Sequence, residues 1–142
     1  MSRTFRYRFR SPLGGLAADL TAEWASPGTD DGFLLQVDRK VRLAPPSGMH
    51  WRDVSWLSFG LAAHASDLMA RHTEGLVVRV TALTYPLAHF RSEVAALAMD
   101  GWLREEFGLP ERGLRVSFDS ATGGYAFEWG SYGDPFEDNL LR

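Results

Sequence analysis

Residues 5–10 of the chain alternate between aromatic and basic side chains. Aromatic residues occupy every second position, and arginines occupy the positions between them: Phe5, Tyr7 and Phe9 alternate with Arg6, Arg8 and Arg10. A period of two predicts a β-strand that carries the aromatic rings on one face and the guanidinium groups on the other. The turn sequence 11–15 and a second alternating segment, 16–24, predict a returning strand and hence a hairpin.

Further along the chain the pattern predicts a third strand over 33–43, which carries Arg39, Lys40 and Arg42. From about Asp53, a candidate N-cap, the apolar positions follow a helical spacing up to a C′ glycine at Gly75. The β-branched run 76–83 predicts a strand inside the sheet.

A second helix is expected from Leu87 or Phe90 to Phe107, because Gly108 and Pro110 follow as stop signals. Two short strands, 114–118 and 125–129, flank a turn. The order βββαβα followed by a β-hairpin predicts an α+β fold, with a mainly antiparallel sheet and two helices on one of its faces.

The composition agrees with a single domain. The chain has 142 residues, 45% of them hydrophobic, and a formal net charge of −3. We expect one domain over 1–130 and a flexible acidic tail over 131–142. The chain has no cysteine, which excludes disulfides and thiolate metal sites.

Charge is unevenly distributed along the chain. Residues 1–52 carry a net charge of +3 and residues 53–142 carry −6. Such asymmetry is a mark of a basic contact face. Neither a signal peptide nor a membrane-spanning segment is predicted, so a cytoplasmic location without membrane contact is expected.

Several segments resemble the fourth domain of the ribosomal translocase elongation factor G. The strand with its Gly14-Gly15 turn, the glycine-led strand 32–38, the apolar strand ending before Tyr85-Pro86 and the Ala-rich helix segment 92–98 occur in the family's order and spacing. Where that family places a histidine ahead of the proline, this chain has Tyr85. The resemblance implies a contact region formed by two loops: Gly14, Gly15, Tyr85, Pro86 and His89. It also implies ribosomal RNA as a partner, without GTP hydrolysis, because no GxxxxGK[ST] sequence is present.

The arginine face of the first strand is the main candidate for nucleic-acid contact. Alternate strand residues are about 6.6–7 Å apart, which is close to the phosphate spacing of a nucleic-acid strand. The guanidinium fork suits phosphate oxygens, and Arg39, Lys40 and Arg42 are expected to extend the patch. The alternative interpretation is that these arginines only solvate the sheet and prevent edge pairing.

The sequence gives less support for a catalytic site than for a contact surface. No HExxH, no G-x-S-x-G and no metal-ligand spacing occurs, so neither a metal nor a cofactor is expected. The residues His50, Trp51 and His64 remain as the region of an alternative small enzyme or ligand-binding protein.

The second helix is apolar on two sides. One arc contains Phe90, Val94 and Leu97, and the other consists of Ala96, Met99, Leu103 and Phe107. A sheet covers one arc, so the other is expected to pack against the first helix or to form an oligomer face. We therefore expect a non-catalytic binding domain that contacts a protein partner, a second copy of itself, or ribosomal or other structured RNA.

Overall fold

The computed structural model describes residues 2–28 and 32–132. Its strands and helices follow in chain order: β1 (Arg3–Phe9), β2 (Leu16–Ala25), β3 (Leu35–Asp38), β4 (Val41–Ala44), α1 (Trp51–Ala62), α2 (Ala65–Arg71), β5 (Leu76–Thr84), a 3₁₀ turn (Leu87–His89), α3 (Glu93–Phe107), β6 (Leu114–Asp119) and β7 (Gly124–Trp129). Five strands form one sheet in the order β1-β2-β5-β4-β3, and β6 pairs with β7 in a separate hairpin. The expected α+β class is confirmed at this level.

The alternating side chains of β1 lie on opposite faces of the sheet, as the sequence predicts. Phe5 pairs in register with Leu20, and Tyr7 with Ala18, both of which are buried on the helix side of the sheet. Cross-strand partners share a face, so Thr4, Arg6 and Arg8 lie on the opposite face. The three aromatic side chains of β1 pack against the hydrophobic core.

The five-stranded sheet is mixed: among the described strands, three pairings are antiparallel and one is parallel. The expected third strand needs correction. Instead of one strand over 33–43, the chain forms β3 and β4, joined by a tight turn in which Arg39 has a φ of 51°. β4 then pairs in parallel with β5. Because parallel neighbours need a crossover connection, α1 and α2 lie between β4 and β5 in the sequence.

The long helix expected from Asp53 is two helices. His50 is the N-cap of α1, and its side chain accepts a hydrogen bond from the backbone N–H of Arg52, so α1 begins two residues before Asp53. The break falls at His64, whose backbone is not helical (φ −109°, ψ 6°) and whose ring is fully buried. α2 ends at Arg71, four residues before Gly75.

Helices α1 and α3 lie side by side on one face of the sheet. α3 packs over β1 and β2, and α1 packs over β3 and β4. The two helices approach closely at Gly60, where an added Cβ would lie 2.7 Å from the backbone oxygen of Ala96. The β6–β7 hairpin packs against both, with the Trp129 ring 4.9 Å from that of Trp56.

This packing corrects the predicted oligomer face on α3. Ala96, Met99 and Leu103 are fully buried within the chain, so they are not available to a second copy. Phe107 is half-buried against Trp24, with the two ring centroids 5.3 Å apart. The second apolar arc of α3 packs against the first helix, α1, which is the alternative to an oligomer face.

The C-terminal part is described up to Tyr132, which contacts the Phe59 ring and donates a hydrogen bond to the carbonyl oxygen of Ala63 (3.3 Å). The expected tail, 131–142, falls outside the described residues from position 133 onward. In the part of the chain that is described, no helix combines the length and apolar character needed to cross a membrane.

Candidate functional site

Two loops meet at the end of the sheet where β1 and β5 finish. The β1–β2 loop contains Gly14 and Gly15, and the segment after β5 runs through the 3₁₀ turn to His89. The Nδ1 of His89 lies 3.2 Å from the carbonyl oxygen of Gly15 and donates a hydrogen bond to it in the tautomer that carries the proton there. We call residues 10–15 together with 85–89 the tip.

The two glycines are required by the geometry of the tip. Gly14 and Gly15 have φ values of 101° and 102°, in the region that disfavours other residues. A Cβ on Gly14 would lie 2.8 Å from Cε1 of His89, and one on Gly15 would overlap the carbonyl of Phe9. Larger side chains at these positions would therefore separate the two loops.

Arg8 of β1 adjoins the tip, and Arg10 is the first residue of the tip. Arg8 and Arg10, together with Gly14, Gly15 and His89, line a concavity of about 320 Å³. Arg8 forms an ion pair with Asp19 of β2 at 2.7 Å. Within residues 2–28 and 32–132, neither Arg6 nor Arg10 has an ion-pair or hydrogen-bond partner among side chains. Their guanidinium donors are therefore available to an external acceptor.

The other predicted basic residues lie elsewhere. Arg39 and Lys40 form the β3–β4 turn and Arg42 lies on β4, which is three strands away from β1 in the sheet. Strands are about 4.8 Å apart, so roughly 14 Å separates the two groups across the sheet. They do not form one continuous patch with β1. Arg39 instead bonds to Asp38 and to Ser66 of α2.

Tyr85 connects the tip to the beginning of α1. Its ring stacks on Phe90 with the centroids 3.5 Å apart, and its hydroxyl donates a hydrogen bond to Asp53 at 3.4 Å. Partial burial, with a further contribution from the Asp53 carboxylate, raises the pKa of Tyr85 above its ordinary value. The hydroxyl therefore remains a hydrogen-bond donor at neutral pH.

Two exposed leucines complete the tip, and the sequence interpretation did not identify them. The side chain of Leu87 is 86% exposed and that of Leu13 is 59% exposed. Each follows a proline, at Pro12 and Pro86, in a segment otherwise typical of a turn. The sequence signal that could have identified them is a large apolar residue in each of the two turns, because clustered apolar side chains in loops mark contact surfaces.

The alternative site at His50, Trp51 and His64 is not assembled. His50 and Trp51 stack at the start of α1, with ring centroids 5.8 Å apart, whereas His64 follows the end of the same helix. Helical rise places them about 20 Å apart. Among the described residues, no group of three His, Asp or Glu side chains is arranged to hold a metal ion.

His64 is paired with a residue of α3. Its Nε2 lies 2.6 Å from the Asp100 carboxylate of α3, and both side chains are buried. The second carboxylate oxygen of Asp100 accepts from Arg104 at 3.1 Å, and Nδ1 of His64 has no hydrogen-bond partner. Asp67 lies 3.8 Å away; a hydrogen bond from Arg112 lowers the pKa of Asp67. This buried cluster joins the α1–α2 break to α3.

Comparison with protein-family models, with curated proteins and with solved structures gave no match to this chain.

Proposed function

We propose that this protein is a binding domain that contacts structured RNA through the tip and the adjoining arginine face of β1. The observation that carries the proposal is the meeting of the two loops at His89 and Gly15, beside a concavity that Arg8 and Arg10 line. A basic concavity with glycine backbone on one wall suits a phosphate group, because the backbone can approach the ligand closely.

The arginine face extends this concavity along β1. Arg6 and Arg8 lie on the side of the sheet opposite the helices, about 6.6–7 Å apart. The ion pair with Asp19 uses one guanidinium nitrogen of Arg8, so the remaining N–H groups of Arg8 and those of Arg6 can contact successive phosphates of one strand. Leu13 and Leu87 supply apolar surface at the end of the row, where an unstacked base or a ribose ring can pack.

The resemblance to the fourth domain of elongation factor G supports the same location. In that family the two loops form the end that faces the ribosome, and the matching positions here are Gly14, Gly15, Tyr85, Pro86 and His89. We therefore propose ribosomal RNA as the first ligand to test.

The test is a fluorescence-anisotropy titration of the full chain with labelled ribosomal RNA hairpins and a duplex of the same length. We expect Arg6→Ala with Arg10→Ala to weaken hairpin binding at least about tenfold, since each charge-assisted hydrogen bond contributes roughly 1.5–3 kcal/mol. The slope of log K against log salt should fall by about 0.7–0.9 for each phosphate contact removed.

Arg115 provides the matched control. It is an exposed arginine on β6, outside the tip, and its nearest acidic partner is Glu111 at 3.5 Å. Arg115→Ala should leave RNA binding unchanged. Absence of saturable binding at low salt, or equal losses in the Arg115 variant and in the Arg6 and Arg10 variant, would refute the proposal.

A further inference from the structure

The free edge of the sheet opposite β1 belongs to β3. In the sheet formed by the described residues, β3 pairs only with β4, so its other side presents backbone N–H and C=O groups without a strand partner. An edge strand of this kind accepts an added strand in many peptide-binding domains. β3 spans Leu35–Asp38, which corresponds to about 13 Å of extended chain.

An apolar groove follows this edge, between β3 and α1. Its wider part, about 650 Å³, lies among Phe33, Leu35, Met49 and Trp51. Its narrower part, about 350 Å³, continues between Val37 and the α1 side chains as far as Phe59 and Ala62. The two parts share the lining residues Leu35 and Ser55, so they adjoin each other along β3.

Two aromatic rings stand exposed at the wider part of the groove. Phe33 is 71% exposed and Trp51 is 61% exposed, and these are the two most exposed aromatic side chains among the described residues. Aromatic anchors of this type dominate the binding energy of many protein interfaces. Their position next to a free strand edge indicates an occupant that is an extended peptide with apolar side chains.

The charges around the groove select an acidic occupant. The guanidinium of Arg52 lies 5.4 Å from the centroid of the Trp51 ring at one end, and the exposed Arg39 and Lys40 lie at the other end, in the β3–β4 turn. Asp38, which pairs with Arg39, is the acidic side chain of β3. In the described part of the chain, these three basic side chains outnumber Asp38, which favours acidic side chains that point away from the groove into solvent.

We propose that the groove between β3 and α1 binds an extended, acidic segment of a partner protein, which adds to β3 as a further strand. Side chains of a strand alternate between its two faces, so the preferred segment alternates apolar and acidic residues. The apolar ones enter the groove, and the acidic ones point into solvent on the other face, where the positive charges at the ends of the groove attract them. This site is separate from the tip and does not depend on RNA binding.

The experiment uses the full ¹⁵N-labelled chain and a seven-residue synthetic peptide that alternates glutamate or aspartate with valine or leucine. We expect saturable binding below about 1 mM and at least tenfold slower hydrogen exchange for some of the amides of 35–38. Trp51→Ala should weaken the affinity at least fivefold. Leu87→Ala, which truncates a still more exposed apolar residue in the tip, should leave the peptide affinity unchanged.

Two further peptides test the backbone pairing. Each is N-methylated at alternate residues, in one or the other of the two frames, so that only one of them blocks the hydrogen bonds to β3. Loss of binding in one frame alone supports strand addition. Equal binding of both methylated peptides, chemical-shift changes confined to the tip, or no saturable binding up to about 1 mM would overturn the proposal.

Discussion

Replacement of Asp100 by leucine tests whether the buried pair with His64 acts as one unit. Asp100→Leu leaves a fully buried imidazole without its 2.6 Å partner and leaves Arg104 without its carboxylate. Removing one member of a buried, hydrogen-bonded charged pair costs about 3–5 kcal/mol. Replacing both members by apolar residues of similar size is often close to neutral.

We therefore expect Asp100→Leu and His64→Leu each to lower the free energy of unfolding by about 3–5 kcal/mol. The double variant should lose much less than the sum of the two. For a chain of 142 residues, the unfolding entropy converts each single loss to a fall of roughly 10–17 °C in Tm. Urea denaturation of all three variants, followed by circular dichroism, measures the coupling energy.

Asp38→Leu serves as the control for this cycle. Asp38 forms an exposed ion pair with Arg39 at 3.3 Å, and such pairs contribute about 0–1 kcal/mol. Additive losses in the His64 and Asp100 double variant would refute the reasoning, as would a loss in Asp100→Leu no larger than that in the control.

Three further outcomes are expected. In Gly101→Ala the new Cβ overlaps the ring of Phe5, so denaturation should show a fall of about 1–3 kcal/mol in the free energy of unfolding. Phe5→Leu in the same chain should recover most of this loss, and additive losses in the double variant would contradict the explanation. Burial, with a smaller effect of Asp100, raises the pKa of Tyr7 to about 12. The stability that the neutral Tyr7 hydroxyl contributes is therefore complete below pH 10 and is lost as the pH rises towards 12. Tyr7→Phe should flatten this decline in the denaturation midpoint. The hydrogen bond from Arg112 lowers the pKa of Asp67, so the stability that the ionised Asp67 contributes is present at neutral pH and disappears as the pH falls through the lowered pKa. Arg112→Gln should raise the pKa of Asp67 in a ¹³C NMR titration of the carboxyl group. An unchanged titration would exclude the hydrogen bond as the cause.

Local periodicity predicted the strands and helices well where one face of an element is buried. The alternation of Phe5, Tyr7 and Phe9 with arginines gave the correct faces of β1, and the apolar run from Leu76 gave β5. The αL residue Gly108 ends α3 as expected, with a φ of 64°. These features depend on residues close together in sequence.

The sequence did not predict features that depend on distant partners. The break between α1 and α2 arises because His64 turns inward to Asp100, 36 residues later. The turn at Arg39 divides one apparent strand into two, and nothing in its composition marks a reversal, since a non-glycine residue adopts the positive φ. Parallel pairing of β4 with β5 likewise has no local pattern.

The candidate site was predicted unevenly. Gly14, Gly15 and His89 were assigned to one region only through the resemblance, and their approach to each other follows from the antiparallel pairing of β2 with β5. Leu13 and Leu87 were overlooked because exposure is decided by packing, which composition does not report.

The attachment of β1 to α3 has a consequence for synthesis of the chain. The indole N–H of Trp102 donates to the carbonyl oxygen of Arg3 at 3.0 Å, and Arg3 forms an ion pair with Glu105. The first strand therefore lacks its covering helix until about 100 further residues have been translated, which takes roughly 5–20 s. During that interval its aromatic face is exposed in the nascent chain, and the alternating arginines keep this segment charged while it waits for α3.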